Sequence, residues 1–285
     1  MSRNPQQLDS NDLVLCAGTA IDADFAQLVG AAQAGGFSAI SLYPALYRQA
    51  RDSGSSDADL RALLADHDLC IAELDPLLNW VPGYEFPVDT GMGVVTEDTF
   101  YAIADALGAR SLNVVWAMDA VLPEQMLIDA FGGLCERAAT HGLLAHIEFL
   151  PWAQIDSVAT ALRIVDAVDQ PNAGILFDSW HHFRGPLNNA ALFDIPGRAI
   201  SAIQLNDAPA QPSDNLIEET MSARLLPGEG AIDLRGIVRQ LQRNGCNAPI
   251  GIEVFSDKLR TMTPAAIGLA AGTSLREILR QARAG

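Results

Sequence analysis

The feature that most constrains the fold of this chain is a regular alternation between short apolar runs and longer amphipathic stretches. Eight runs are rich in aliphatic residues, and each has the length of a strand that is buried on both faces. They lie at residues 13–17, 39–43, 69–74, 111–116, 143–149, 173–177, 200–205 and 250–255. Strands that are apolar on both faces occur in parallel sheets covered by helices, so the alternation predicts repeated βα units.

Helix candidates lie between these runs, and several begin at a capping residue or Pro and end near Gly. The clearest lie at residues 23–35, 97–107, 123–141, 155–168 and 232–244. Eight βα units within 285 residues predict an α/β fold with a single (β/α)8 TIM barrel. A doubly wound sheet is the alternative fold, but residues 16–19 (Cys-Ala-Gly-Thr) lack the glycine-rich turn that usually follows its first strand.

The composition predicts one globular domain over residues 1–285, in which residues 1–10 form a polar N-terminal tail. The chain has 35 acidic and 18 basic residues, a formal net charge of −17, and no cluster of Lys or Arg. Nucleic acid and anionic membranes are therefore not expected partners. A DNA-repair endonuclease can use the same barrel, but it needs a basic groove and many His ligands, whereas this chain has five His.

The four cysteines are widely spaced and form no Cys-x-x-Cys pair: Cys16, Cys70, Cys135 and Cys246. This spacing predicts neither a disulfide framework nor a structural zinc site. The first ten residues lack the apolar stretch of a signal peptide, and no apolar run is long enough to span a membrane. We therefore expect a cytoplasmic protein.

Side chains with oxygen atoms end each of the last four predicted strands, namely Glu148, Asp178, Gln204 and Glu253. Because the active sites of these barrels lie at the carboxyl ends of the strands, we expect the four side chains at one rim. Buried carboxylates that converge repel one another unless a cation or a shared proton lies between them. An all-oxygen set favours Mg²⁺ or Mn²⁺ over zinc, so the pattern predicts one such ion.

Several short motifs of the second half resemble the xylose isomerase-like TIM-barrel family, also called sugar phosphate isomerases/epimerases. They are Ala-His-Ile-Glu at 145–148, Leu-Phe-Asp-Ser-Trp-His at 176–181, Ile-Gln-Leu-Asn-Asp at 203–207, Leu-Pro-Gly-Glu-Gly at 226–230 and Gly-Ile-Glu-Val-Phe at 251–255. The resemblance covers roughly residues 143–275 and implies one divalent metal held by the same four residues. It also implies the barrel fold that the alternation predicts.

The seventh strand carries Gln204, where epimerases of that family more often carry His. Together with Arg224 and the Pro-Gly-Glu-Gly stretch after it, this residue makes the chain similar to bacterial 3-dehydroshikimate dehydratases of the same superfamily. That similarity implies that Arg224 faces the carboxylate of a substrate. It also implies that Asp178 and His181 correspond to the Asp-x-x-His motif of those enzymes.

A metal that binds a carbonyl makes the neighbouring C–H group acidic, and a nearby carboxylate can then take the proton. Glu148 and Glu253 are the expected acid/base pair, because they come from nonadjacent strands and can flank a substrate. His181 lies on the loop after the sixth strand, where we expect it to donate a proton. Asp178 and Gln204 are expected to act mainly as ligands.

Three further residues are predicted to bind the substrate: Arg224, His146 and Asn206. Arg224 offers a guanidinium fork for a carboxylate or a phosphate. His146 has the same strand parity as Glu148 and lies one layer deeper, so orientation of a ligating carboxylate is its alternative role. Glu73 and Asp75, at the end of the third predicted strand, are weaker candidates for binding substrate hydroxyls.

These residues predict a divalent-metal-dependent isomerase or epimerase of a small polyhydroxylated keto substrate, a sugar or a sugar-like molecule. The alternative is a metal-dependent dehydratase of the 3-dehydroshikimate or keto-inositol type. A non-catalytic barrel that binds a metal or a small anion is the alternative from another class. The expected partner is a small-molecule substrate, with or without a carboxylate or phosphate group, and assembly into a homo-oligomer is left open.

Overall fold

The computed structural model describes residues 3–86, 95–186 and 189–284. Its eight strands are all parallel and form a closed barrel, in which each strand pairs with the next and the last pairs with the first. The strands are β1 (Leu13–Leu15), β2 (Ala39–Leu42), β3 (Cys70–Leu77), β4 (Ala109–Val115), β5 (Leu144–Glu148), β6 (Ala173–Asp178), β7 (Ile200–Leu205) and β8 (Ile250–Ile252). The predicted (β/α)8 barrel is therefore confirmed.

The described residues also form twelve α-helices, most of which connect one strand to the next around the outside of the barrel. They are α1 (Phe25–Gly35), α2 (Pro44–Asp52), α3 (Asp57–Asp66), α4 (Glu97–Leu107), α5 (Glu124–Thr140), α6 (Val158–Val168), α7 (Ser179–Arg184), α8 (Asn189–Asp194), α9 (Leu216–Ser222), α10 (Leu234–Arg243), α11 (Asp257–Arg260) and α12 (Pro264–Arg283). Residues 5–7, 17–20 and 197–199 form short 3-10 helices.

Each predicted run contains a strand, and the largest differences lie at two strand ends. β3 continues to Leu77, three residues beyond the predicted end, because a bulge lets Leu77 pair with Val114 of β4. β8 ends at Ile252, three residues before the predicted end at residue 255. Glu253 therefore follows its strand directly, at the carboxyl rim of the barrel.

The last helix returns to the start of the chain and packs against the first. α12 contains Gly268 and Gly272, where a side chain would collide with the backbone of Ala31 and of Gly35 in α1. These glycines let the two helix backbones approach closely, which a larger residue prevents. The contact closes the outer layer of helices beside β1.

The described part of the predicted N-terminal tail is bound to the amino end of the barrel. Arg3 forms ion pairs with Asp12 at 2.8 Å and with Asp68 at 2.7 Å. The Gln6 side-chain amide donates to the carbonyl oxygens of Ala109 and Gly142, both at 3.1 Å. These contacts lie at the end of the barrel opposite the carboxyl rim. Among the described helices, none combines the length and the apolar character needed to cross a bilayer.

Candidate active site

Buried polar side chains converge at the carboxyl ends of the strands. The four predicted metal ligands lie there on successive elements: Glu148 ends β5, Asp178 ends β6, Gln204 lies on β7 and Glu253 follows β8. All four are buried, with at most 7% of any residue exposed to solvent. A carboxylate that is withdrawn from water to this extent needs hydrogen bonds, a counter-charge or a proton.

Three of the predicted site residues lie close enough to share one ion. Glu148, Asp178 and His181 offer ligand atoms that all lie within 4.8 Å of one another. Nε2 of His181 is 3.4 Å from Oε1 of Glu148. The structure therefore brings the imidazole of His181 next to two of the predicted oxygen ligands.

The local sequence explains how His181 reaches this position. Asp178 is the N-cap residue of α7, and its Oδ1 accepts a hydrogen bond of 2.9 Å from the backbone N–H of His181. An N-cap side chain bonds to the backbone of the first helical turn, so the residue three positions later lies in that turn beside the cap. The Asp-x-x-His spacing thus holds both side chains at the rim.

Arg224 lies between two of the predicted ligands. Its Nη1 is 3.0 Å from Oδ2 of Asp178 and 3.4 Å from Oε2 of Glu253. The guanidinium carbon lies 5.5 Å from the ring centroid of Trp180 and 5.2 Å from that of Phe255. A buried guanidinium beside two carboxylates and two rings is fixed in one orientation.

The remaining donors of Arg224 also have partners. Nε and Nη2 donate to Oγ1 of Thr220, at 3.0 and 2.7 Å, and Nη2 lies 3.2 Å from Nε2 of His181. A substrate carboxylate would therefore have to replace one of these contacts. The predicted role of Arg224 in substrate binding stays a prediction. No motif indicated Thr220, because only the folded α9 brings it to the guanidinium.

The two other predicted substrate-binding residues contact protein groups in this structure. Asn206 donates from Nδ2 to Oδ2 of Asp178 at 2.8 Å, and its Oδ1 accepts a 2.8 Å bond from Ser179. His146 lies deeper in the barrel, with Nδ1 3.0 Å from Oγ of Ser201 and Nε2 2.9 Å from Oε2 of Glu73. Neither contact of His146 is with one of the four predicted ligands, so both roles considered for His146 stay predictions.

The first half of the barrel contributes groups that hold the ligands of the second half. Nδ2 of Asn113, on β4, donates to Oε2 of Glu148 at 2.7 Å and to Oδ1 of Asp75 at 2.8 Å. Nε2 of Gln204 donates to Oε1 of Glu73 at 3.1 Å. Sequence reasoning missed Asn113, although a lone amide within an apolar strand is the signal that could have indicated it.

The buried carboxylates of the rim raise one another's pKa. Burial, followed by the charge of Glu148, raises the pKa of Glu73 to about 8. Burial and the charges of Glu73 and Glu148 raise the pKa of Asp75 well above its ordinary value. Burial, followed by the charge of Asp75, does the same to the pKa of Glu253. The site thus concentrates more negative charge than its surroundings balance.

Two groups of the site titrate in the opposite direction. Burial would raise the pKa of Asp178, but the charges of Arg224 and His181 outweigh burial and hold this pKa below its ordinary value. Burial lowers the pKa of His146 to about 3, so this imidazole is neutral at neutral pH. Asp178 therefore stays ionised at the rim, above a neutral His146.

The residues at the rim fit a divalent cation. The carboxylates of Glu148, Asp178 and Glu253 supply anionic oxygens, and their mutual repulsion is relieved by positive charge. Oε1 of Gln204 is buried and has no hydrogen-bond partner among the described residues. A buried carbonyl oxygen without a donor is a suitable ligand for a hard cation.

Fold and site together define this chain as a TIM-barrel protein with a buried carboxylate cluster at its carboxyl rim. It belongs to the xylose isomerase-like TIM barrel family, whose model matches residues 29–280. The family resemblance that the motifs of the second half carry is therefore confirmed.

Relatives with assigned activities differ in the reaction they catalyse. A 3-dehydroshikimate dehydratase from Pseudomonas aeruginosa is 34% identical over 145 residues, which cover 50% of this chain and 23% of the relative. An inosose isomerase from Bacillus velezensis is 30% identical over 132 residues, which cover 46% of each chain. The matched segments thus span about a quarter of the dehydratase and less than half of the isomerase.

The fold is also found in solved structures. The crystal structure of the IolI protein with a bound zinc atom superposes with a TM-score of 0.81 at 19% identity, covering 95% of this chain and 98% of that chain. At this identity the similarity establishes the common fold. Related proteins of assigned activity are enzymes, which places the chain in an enzyme superfamily.

Proposed function

We propose that this protein is a divalent-metal-dependent enzyme that removes the proton α to the carbonyl of a small polyhydroxylated ketone. The observation that carries the proposal is the convergence of Glu148, Asp178 and His181, whose ligand atoms lie within 4.8 Å of one another at the barrel rim. The proposed substrate is a small molecule rather than a nucleic acid, because a net charge of −17 opposes binding to a polyanion.

Glu148, Asp178, Gln204 and Glu253 would hold the cation, and the nitrogen of His181 lies beside them. A bound divalent ion polarises the carbonyl of a substrate and so makes the neighbouring C–H group acidic. Mn²⁺ suits this set, because carboxylate and carbonyl oxygens are among its usual ligands. Mg²⁺ is compatible with the four oxygen ligands alone.

The chain's own residues move the proton. Glu148 or Glu253 accepts it from the α-carbon, and the C–H electron pair moves toward the carbonyl to give an enediolate or enolate. Burial raises the pKa of Glu253 in the metal-free protein, and a bound cation would favour the ionised carboxylate that accepts the proton. Asn113 holds Glu148 by its 2.7 Å hydrogen bond, and His181 can pass a proton to Glu148 across 3.4 Å.

Isomerisation or epimerisation is the first candidate outcome. The proton returns to a neighbouring carbon, or to the opposite face of the same carbon, so atoms and charge balance without any co-reactant. The inosose isomerase relative and the paired Glu148 and Glu253 support this outcome. One glutamate then takes the proton, and the other delivers one.

Dehydration is the second candidate, and two observations favour it. The dehydratase from Pseudomonas aeruginosa is the more identical of the two relatives described above, at 34% against 30%. Arg224 lies 3.0 Å from Asp178, where a guanidinium beside the rim can face an anionic substrate group. In this reaction the electron pair of the broken C–H bond forms the double bond, and the β-hydroxyl leaves with the proton that His181 donates.

Incubation of candidate substrates in D₂O with Mn²⁺ tests the proposal. The candidates are keto-sugars, keto-inositols and dehydroshikimate. Deuterium at the α-carbon of an isomer identifies an isomerase or epimerase, and an unsaturated product that absorbs in the ultraviolet identifies a dehydratase. Turnover without exchange or loss of the α-proton, or full activity of both Glu148→Gln and Glu253→Gln, would show that the proposed mechanism is wrong.

A further inference from the structure

A row of polar side chains crosses the inside of the barrel directly beneath the proposed metal site. It consists of Glu73 on β3, His146 on β5 and Gln204 on β7, all buried. In TIM barrels, side chains from alternate strands fill the interior in layers, which are ordinarily apolar. Three polar groups in such a layer are costly to bury unless each has a hydrogen-bond partner, so their presence points to a role other than filling space.

The hydrogen bonds of this row have a definite direction at its lower end. Oγ of Ser201 donates to the carbonyl oxygen of Ile175 at 3.3 Å, so it accepts from Nδ1 of His146 at 3.0 Å. Nε2 of His146 lies 2.9 Å from Oε2 of Glu73. Nε2 of His146 nevertheless has no hydrogen-bond partner among the described residues, so it contacts Glu73 without a hydrogen bond, and Oε1 of Glu73 is free to accept from another group.

The upper end of the row fixes the amide of Gln204. Its Nε2 donates to Oε1 of Glu73 at 3.1 Å, which directs the NH₂ group away from the metal ligands. Its Oε1 is the buried atom without a partner. The alternative amide orientation would place oxygen against oxygen at Glu73 and would turn the NH₂ group toward the site. An NH₂ group donates hydrogen bonds and cannot bind a cation.

We propose that Glu73 is a positioning residue that fixes the Gln204 amide with its oxygen toward the divalent cation. This inference rests on the proposed function, because it assigns the acceptor end of Gln204 to the metal. Outer partners of this kind commonly change metal affinity by about 10- to 100-fold. A glutamine ligand depends on such a partner, because its two ends have similar shape and opposite hydrogen-bonding character.

Two substitutions of Glu73 separate positioning from charge. Glu73→Gln keeps an oxygen that accepts from Gln204 and puts a polar NH₂ group in place of the second carboxylate oxygen, so it removes only the charge. Glu73→Leu has a similar size but keeps neither group. We expect Glu73→Leu to weaken Mn²⁺ binding by at least about tenfold and Glu73→Gln to change it less than about threefold. Dissociation constants come from titrations followed by electron paramagnetic resonance of free Mn²⁺.

A second background makes the test independent of the stability of one variant. In Gln204→Glu both ends of the side chain are oxygens, so its orientation no longer matters. Glu73→Leu should then cause less than about a twofold further loss of Mn²⁺ affinity. Glu73→Met replaces Glu73→Leu as the apolar variant if the latter lacks a wild-type circular dichroism spectrum.

The outcomes distinguish this inference from the proposed function. If the wild-type protein binds no Mn²⁺, the metal-dependent function is overturned and the inference with it. If the wild-type protein binds Mn²⁺ and the Leu and Gln variants of Glu73 lose affinity equally, Glu73 acts through its charge and only the inference is overturned. Wild-type affinity in both variants also overturns the inference alone.

Discussion

The two halves of the barrel contribute different chemistry to the same rim. The half formed by β5 to β8 carries the four predicted metal ligands at its strand ends, and α7 adds His181. The half formed by β1 to β4 carries Glu73, Asp75 and Asn113. Glu73 reaches across the barrel to Gln204 at 3.1 Å, and Asn113 bonds to Glu148 on the adjacent strand β5 at 2.7 Å.

Under the proposed function, the second half supplies the ligands, and Glu73 and Asn113 of the first half hold two of them in place. A glutamate or glutamine side chain has several rotamers, and a cation requires one of them. Hydrogen bonds from strands of the first half can hold that rotamer without the ion. We therefore expect substitutions of the proposed ligands in the second half to abolish metal binding, and substitutions of their partners in the first half to weaken it.

The largest effect is expected from removal of two carboxylates of the second half. Glu148→Gln combined with Asp178→Asn replaces two anionic ligands by neutral amides. Mn²⁺ binding should weaken by more than about 100-fold, which exceeds the effect of losing a residue that only hydrogen-bonds to a ligand. Metal analysis should find about one ion per wild-type chain and none in the double variant. Glu136→Gln with Asp166→Asn, on the exposed faces of α5 and α6, is the matched control. Undiminished Mn²⁺ binding in the Glu148→Gln, Asp178→Asn variant would show that these two residues are not metal ligands.

An intermediate effect is expected from the first half. Asn113→Leu removes the donor to Glu148 and Asp75 and leaves a side chain of similar size. Activity or Mn²⁺ affinity should fall by about 10- to 100-fold, measured as kcat/KM and as a dissociation constant. Ser111→Ala on the same strand is the control, because Ser111 bonds only to the carbonyl oxygen of Ala72. If Asn113→Leu and Ser111→Ala lower activity and Mn²⁺ affinity equally, Asn113 has no specific role in holding Glu148.

A smaller effect on catalysis is expected from substitution of Arg224, which lies beside the proposed ligands. Arg224→Lys keeps the charge but loses the planar fork that reaches Asp178 and Glu253. If Arg224 anchors an anionic substrate group, KM rises by about three- to tenfold while the Mn²⁺ affinity stays unchanged. Arg184→Lys, on the neighbouring α7, serves as the control variant. A loss of Mn²⁺ affinity with unchanged KM would assign Arg224 to holding the ligands instead.

The smallest effect concerns the pH dependence of stability. Burial and Glu148 raise the pKa of Glu73 to about 8, so the metal-free folded state binds more protons than the unfolded chain between the ordinary glutamate pKa and about 8. This contribution is fully present below that window and is lost as the pH rises through it. The glutamine of Glu73→Gln cannot ionise, so this variant should lose less stability than the wild-type protein as the pH rises.

Calorimetry of the metal-free proteins at about pH 5 and about pH 8.5 measures this difference, since the two values bracket the window. The midpoint of thermal unfolding should fall further with rising pH in the wild-type protein than in Glu73→Gln. Glu277→Gln, an exposed position on α12, should follow the wild-type protein. Identical pH slopes in all three proteins would mean that Glu73 is already ionised in the metal-free fold.

Local sequence patterns were sufficient to predict the barrel and the residues at its rim. The periodicity of apolar residues indicates which residues form strands, and the alternation of side chains along a strand indicates which of them share a face. Both are local properties of the chain. The strand ends therefore placed Glu148, Asp178, Gln204 and Glu253 at one rim, and the Asp-x-x-His spacing placed His181 beside Asp178.

The contacts between these side chains became visible only in the folded barrel. Glu73 and Gln204 are 131 residues apart in the chain, and Asp178 and Arg224 are 46 apart, yet each pair is joined by one hydrogen bond. Such contacts depend on how the closed barrel staggers its strands and on the rotamer that packing leaves to each side chain. Local sequence carries neither quantity, so the orienting role of Asn113 and the filled fork of Arg224 emerge only when the barrel closes.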